Sequence, residues 1–332
     1  MGFKISFHQF RDASDLDYIK KCKYTSIMKT LIITFCLMLF ATAQSAQIDD
    51  FSSNSNDRFS NHPDFIGESF NLSGVALTNG GHWVTMISPN VYITANHFKS
   101  GAGTVVNFYE TNDPNGSSIS RSISSTSQRI GNTDLWLGTL NEPLTFDYAY
   151  YDFANEVINN NNTAPGGGPT SANAESFINS PYYLENTYMF GRSPSSFPVS
   201  QDIAVGRNRF DRWLGSVTAA GATDLAFGAD YNASTDTNYV QHETILEQGD
   251  SGGPMMVDIN GSLRLIGINW FIYSSGGEPL GTAVSYVGNH ATEIESFLDT
   301  HSLAAIPEPG TLILGLILLG AFGVTARWRN HR

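Results

Sequence analysis

From Gly74 onward the chain alternates short apolar runs with turn residues. "GVALT", "HWVTMIS", "VYITA", "TVVNFYE" and "LWLGTL" are rich in Val, Ile, Thr and aromatics, and Gly, Asn, Ser or Pro separates them. No helical period of apolar positions shows between Gly74 and Leu140. Strand-like runs resume at "YYLENTYMFGR", "QDIAVGRNRFDRW", "SVTAA", "GPMMVDI", "LRLIGINWFIY" and "TAVSYV". Between the two sets lies "NNNNTAPGGGPT", residues 159–170, a low-complexity loop that reads as an insertion or linker. Helical spacing appears in "TEIESFL", where Ile294, Phe297 and Leu298 share a face, predicting a short C-terminal helix. Many short strands joined by Gly-rich turns predict an all-β protein, either a sandwich or a pair of barrels.

The two ends follow other patterns. Residues 28–46, "MKTLIITFCLMLFATAQSA", place a lysine, an apolar run and small residues in the order of a secretory signal. Ala41-Thr42-Ala43 fits the small-residue cleavage rule better than Gln44-Ser45-Ala46, so the signal peptide is expected to span 28–43. Residues 1–27 are polar and charged and fit no signal; they read as a non-native extension ahead of a start at Met28. The next segment, 44–64, is dominated by Asp, Asn and Ser and is expected to be disordered. At the other end, Pro307-Glu308-Pro309 precedes an apolar, Gly-rich helix expected over 311–325, and Arg327, Arg329 and Arg332 follow it. Residues 306–332 therefore resemble the PEP-CTERM sorting tail of Gram-negative bacteria. That resemblance implies handling by an exosortase, contact with the membrane through the tail before processing, and a destination at the cell surface, outer membrane or extracellular matrix.

Removing these ends changes the charge. Residues 44–310 carry nine Lys and Arg against 28 Asp and Glu, with Lys99 the only lysine. Such a surface repels nucleic acid, whose binding depends on neutralising phosphates. The two cysteines, Cys22 and Cys36, precede the expected cut, so the mature chain has neither a disulfide nor a thiol nucleophile.

Chemistry concentrates in "LEQGDSGGPMM", residues 246–256. Acyl transfer by serine needs a hydroxyl, a base, a carboxylate to orient the base, and donors for the oxyanion. Ser251 offers the hydroxyl. The N–H groups of Gly249 and Ser251 can aim at one point, and glycine allows close approach of backbone to substrate. Gly252 and Gly253 are expected to leave room around the hydroxyl, and Asp250 to anchor the loop from behind on a buried cation or backbone donors. Upstream, "WVTMISPNVYITANHFKS" delivers His97 at a strand end, and Asp134 opens the apolar strand of "GNTDLWLGTLNEPL". A carboxylate buried there needs a partner, which an imidazole N–H supplies.

These segments, in the chain order His97, Asp134, Ser251, resemble the chymotrypsin–trypsin serine protease family. "ISPNVYITANH", "TDLWLGTLNEPL", "GDSGGP", and "LRLIGINWF" followed by "TAVSYV" match its base, carboxylate, nucleophile and pocket segments. The resemblance runs over 65–300. It implies two antiparallel six-stranded β-barrels, at about 65–150 and about 180–300, with the site in the cleft between them. It makes His97 the general base, Asp134 its orienter and Ser251 the nucleophile, with the Gly249 and Ser251 N–H groups as oxyanion hole. Where family members that cleave after Lys or Arg carry aspartate, this chain has Ile245, followed by Leu246. With Trp270 these form the expected specificity pocket, which predicts preference for apolar or small residues because a basic group would be buried unpaired; Glu247, two positions on, works against that reading.

Three features depart from the family pattern. Asn96 replaces the usual alanine before the histidine, Phe98 stands where many members have cysteine, and no "IVGG"-like start is present, so the partner of Asp250 is open. The sequence thus predicts an exported serine endopeptidase acting on protein or peptide substrates without metal or cofactor. The alternative from another class is a non-catalytic binding module on a protease-like fold. A structural matrix protein sorted by its tail is a third reading. A zinc helix at His242-Glu243 is disfavoured by Leu246 where a second histidine would stand. The run "GADYNASTDTNY", with Asp230 and Asp236, reads as a solvated loop rather than a calcium site.

Overall fold

The computed structural model describes residues 45–145, 147–158, 175–275 and 277–303. The expected extension, signal peptide, low-complexity loop and sorting tail lie outside these residues, and among the described ones no helix is long and apolar enough to cross a membrane.

Six strands close a first barrel: β1 (Val75–Thr78), β2 (Trp83–Met86), β3 (Val91–Ala95), β4 (Val105–Tyr109), β5 (Ser118–Arg129) and β6 (Leu135–Leu140). Every pairing is antiparallel, and the circuit runs β1-β2-β3-β6-β5-β4. A cluster that includes Ala76, Val84, Tyr92, Val106, Ile123 and Leu140 draws on every strand and fills the barrel. Alternate residues of the same strands, Val75, Trp83, Val91, Ile93, Ala95 and Leu137, face the other way and join the main core, which extends into the rest of the molecule. Side chains alternate between faces along a strand, so β3 is buried on both sides because it has a partner on each. Gly138 is required by this packing: a Cβ there would lie 2.5 Å from the Tyr92 hydroxyl.

The second half corrects the expectation of another six-stranded barrel. Strands β7 (Asn186–Gly191), β8 (Ala204–Arg209), β9 (Arg212–Ala219), β10 (Ala222–Asp230), β11 (Pro254–Ile259), β12 (Ser262–Ser275) and β13 (Glu278–Tyr286) form one seven-stranded antiparallel sheet. Its order is β9-β10-β13-β12-β11-β7-β8, which leaves β9 at one edge and β8, bridged at Ala204 by Asp57, at the other, a half-barrel. Two further short segments, Gln47–Ile48 and Thr244–Ile245, pair separately, and Arg207 on edge strand β8 bridges to Glu243 just before the second. A helix at Ala291–His301 buries Ile294 and Phe297, as its sequence spacing predicts. Its end fastens onto the first barrel, where Asn90 donates to the His301 carbonyl (2.9 Å) and accepts from Leu303 N–H (2.7 Å).

Residues 45–64 are also corrected: the polar run expected to be disordered is built into the fold. Asn56, Asp57, Arg58 and Phe59 are all buried. The Arg58 guanidinium donates to the carbonyls of Val75 (2.8 Å) and Tyr109 (3.0 Å) in the barrel. Asp57 accepts from the hydroxyls of Ser193 and Ser195 in the other half. Burial lowers the Arg58 pKa to about 10. Asn56, Asp57 and Arg58 therefore act as internal hydrogen-bonding groups, a use that composition does not reveal.

Candidate active site

Strand register brings the first two site residues together. In the antiparallel β3–β6 pair Ala95 lies opposite Leu135, and the next step sets Asn96 N–H on the Asp134 carbonyl at 2.6 Å. The chain then turns through Asn96–Phe98, which swings His97 over Asp134. Asp134 Oδ1 accepts the His97 backbone N–H at 3.0 Å, and Oδ2 lies 2.6 Å from His97 Nδ1. The carboxylate is 1% exposed and the imidazole 23%, so the pair is sealed on one side and open on the other. An ionised carboxylate only accepts, so Nδ1 carries a proton toward it, and in the neutral imidazole Nε2 keeps its lone pair.

Asn96 has its own partner. Lys99 Nζ donates to both the Asn96 side-chain oxygen and its carbonyl, each at 2.9 Å, while lying 4.2 Å from the centre of the Trp136 ring. The substitution before the histidine is thus absorbed at the surface.

Ser251 lies in the turn leading into β11. The loop's glycines serve close packing rather than open space, correcting the expectation for Gly252 and Gly253. Gly252 has φ +90°, and a Cβ there would stand 2.6 Å from Thr94 Oγ1 and 3.3 Å from Ala95 N. The serine loop therefore rests on the end of the strand that delivers His97. A Cβ at Gly253 would meet the Phe190 carbonyl at 2.6 Å and Asn269 Nδ2 at 2.9 Å. Among the described residues the hydrogen bonds of His97 run to Asp134 and not to Ser251.

Asp250 is fully buried and held by backbone donors, without a cation from the described residues on its carboxylate oxygens: Arg192 N–H reaches Oδ1 at 2.6 Å and Glu247 N–H reaches Oδ2 at 2.8 Å. The Arg192 guanidinium instead pairs with Asp202. Burial pushes the Asp250 carboxyl up to about 7, against the pull of the two N–H groups and the Arg192 charge. Within the loop Asp250 N–H donates to the Glu247 carbonyl, Gly252 N–H to Asn269 and Gly253 N–H to Asp250. The Gly249 and Ser251 N–H groups donate to no protein acceptor among the described residues. Gly249 has φ +109°, which only glycine adopts without strain.

Beside Ser251 lies a pocket of about 70 Å³ lined by Leu246, Glu247, Asn269, Trp270, Phe271 and Thr282, among others. Leu246 and Trp270 fall where expected; Ile245 does not. It is buried in the short strand pairing with Gln47, so the lining begins one residue later. Glu247 contributes to the wall. The supporting residues Trp83, Arg192 and Asn269 carry no motif that singles them out in the sequence. Elsewhere, Asp230 is committed to Arg212 (2.7 Å) and Asp236 caps the Ala233 N–H (2.9 Å). No group of three or more His, Cys, Asp or Glu converges on a metal position among the described residues.

Comparison with known families matches residues 305–330 to the PEP-CTERM protein-sorting motif. The motif implies recognition by exosortase-type sorting machinery and export toward a surface or extracellular location. A search of curated proteins finds no match. The closed barrel and the curled half-barrel beside it are compatible with a trypsin-like fold.

Proposed function

We propose that this chain is an exported serine endopeptidase that hydrolyses peptide bonds in protein or peptide substrates, held at the outer membrane or in the matrix after its tail is processed. The observation that carries the reading is the buried Asp134 carboxylate on His97 Nδ1, at the end of the strand on which the Ser251 loop rests. In this reading His97 Nε2 takes the Ser251 proton as Oγ attacks the scissile carbonyl, and Asp134 stabilises the imidazolium that results. The Gly249 and Ser251 N–H groups receive the oxyanion, and His97 then returns its proton to the leaving amine. The small pocket, with Leu246, Trp270 and Phe271 in its wall, supports preference for a small or apolar side chain.

A fluorophosphonate probe applied to the purified, exported protein tests this. Wild type is expected to be labelled, and Ser251→Ala and His97→Ala to lose at least about 10³-fold in reactivity. A folded wild type that takes no label sinks the proposal and leaves a non-catalytic binding module as the better reading.

A further inference from the structure

Resting on the serine endopeptidase reading, we propose that Trp83 is a positioning residue for the oxyanion hole. The peptide unit between Gly249 and Asp250 is the part of the loop most able to flip, since Gly249 has no side chain to restrict it. Both ends of that unit are tied. Its N–H, on Asp250, donates to the Glu247 carbonyl at 3.1 Å. Its carbonyl, on Gly249, accepts the Trp83 indole N–H at 3.2 Å. A trans peptide is planar, so two tethers at opposite ends fix the orientation of its plane. The peptide units on either side carry the Gly249 and Ser251 N–H groups, neither of which donates to an acceptor among the described residues. Holding the central unit therefore holds the pair that must converge on the developing oxyanion.

The tether comes from the other half of the molecule. Trp83 is the first residue of β2; Val84 and Met86 point into the barrel, while Trp83 points out of it into the shared core. It is 1% exposed, so an indole N–H without this acceptor would be buried unpaired. Loss of the bond leaves the Gly249 carbonyl facing an apolar ring and favours rotation of the unit. The barrel that presents His97 thereby also sets the donors on the loop of Ser251.

Trp83→Phe keeps an aromatic ring, removes the donor and also removes part of the ring volume. Benzothienylalanine placed at position 83 is a closer isostere without the N–H and serves if Trp83→Phe does not fold. With a peptide ester substrate, the expected result for the full exported protein is a fall in kcat of about 10- to 100-fold with KM changed less than about threefold. Fluorophosphonate labelling should slow in parallel, with the shape of its pH profile unchanged. A packing role alone would lower the unfolding temperature but leave the folded variant at full kcat. Should both folded variants match wild type in kcat, the positioning role is overturned while the enzyme reading stands. If folded wild type itself takes no label, the enzyme reading fails and the positioning role falls with it.

Discussion

His97 leaves a barrel that closes on itself, whereas Ser251 leaves a sheet that does not close. In the barrel, position follows from register: once Ala95 faces Leu135, the next residues must bring His97 to Asp134. In the sheet, register carries the chain only as far as the loop. Beyond that, placement depends on buried polar groups: Asp250 on two backbone N–H groups, Asn269 on the carbonyls of Phe190 and Asp250, and Trp83 on Gly249. A proposed base fixed by strand geometry and a proposed nucleophile fixed by buried hydrogen bonds should respond differently to mutation and to pH.

Asp250→Ala should give the largest effect. It removes the acceptor for Arg192 and Glu247 N–H and frees the loop, so probe labelling is expected to fall about 10²- to 10³-fold, comparable to loss of an oxyanion donor. The near-ultraviolet dichroism of the barrel aromatics should persist. Collapse of that signal would show that the two halves do not differ in this way.

Gly138→Ala tests the opposite side of the comparison. Its methyl would press on the Tyr92 ring inside the closed barrel, at an expected cost of about 1–3 kcal/mol in urea unfolding. The folded fraction should keep its labelling rate. A large drop in rate without loss of stability would mean that barrel strain reaches the site more directly than register alone allows.

The smallest and most graded effect is on pH dependence. Burial pushes Glu243 up to about 7, as it does Asp250, and both belong to the second half. From the ordinary carboxylate range up to about pH 7, the folded chain holds protons that the unfolded chain has lost. These groups therefore contribute stability that is full at low pH and is lost as pH rises through about 7. Glu243→Gln removes one titrating proton, so the difference in urea-derived stability between pH 5 and pH 8 should shrink. An unchanged difference would count against Glu243 as a source of the slope.

The legibility of the chain follows the same division. The barrel strands "VYITA" and "LWLGTL" are visible because alternating apolar residues meet two cores. Strand β5, "SISRSISSTSQR", escaped the apolar pattern because much of it faces solvent and few of its side chains enter the barrel. Strand β10, "ATDLAFGAD", was hidden by its alanines and glycine, although Ala226, Phe227 and Ala229 are buried. The triad candidates could be picked out because their chemistry restricts residue type. The pocket lining could not be placed to the residue, because the short strand that removes Ile245 owes its position to Gln47, nearly two hundred residues earlier.

What the sequence determined by itself is the all-β character and the sorting tail, and it singled out three segments as candidates for the chemistry, since each rests on local pattern or on residue type. The tertiary structure decided that the second half stays a sheet that does not close, that Asn56–Phe59 within the polar 45–64 segment are buried, and that the Asp250 carboxylate is satisfied by backbone. Each of these depends on hydrogen-bond partners far away in the chain, and a buried polar group looks the same in sequence as a solvated one until its partner is known.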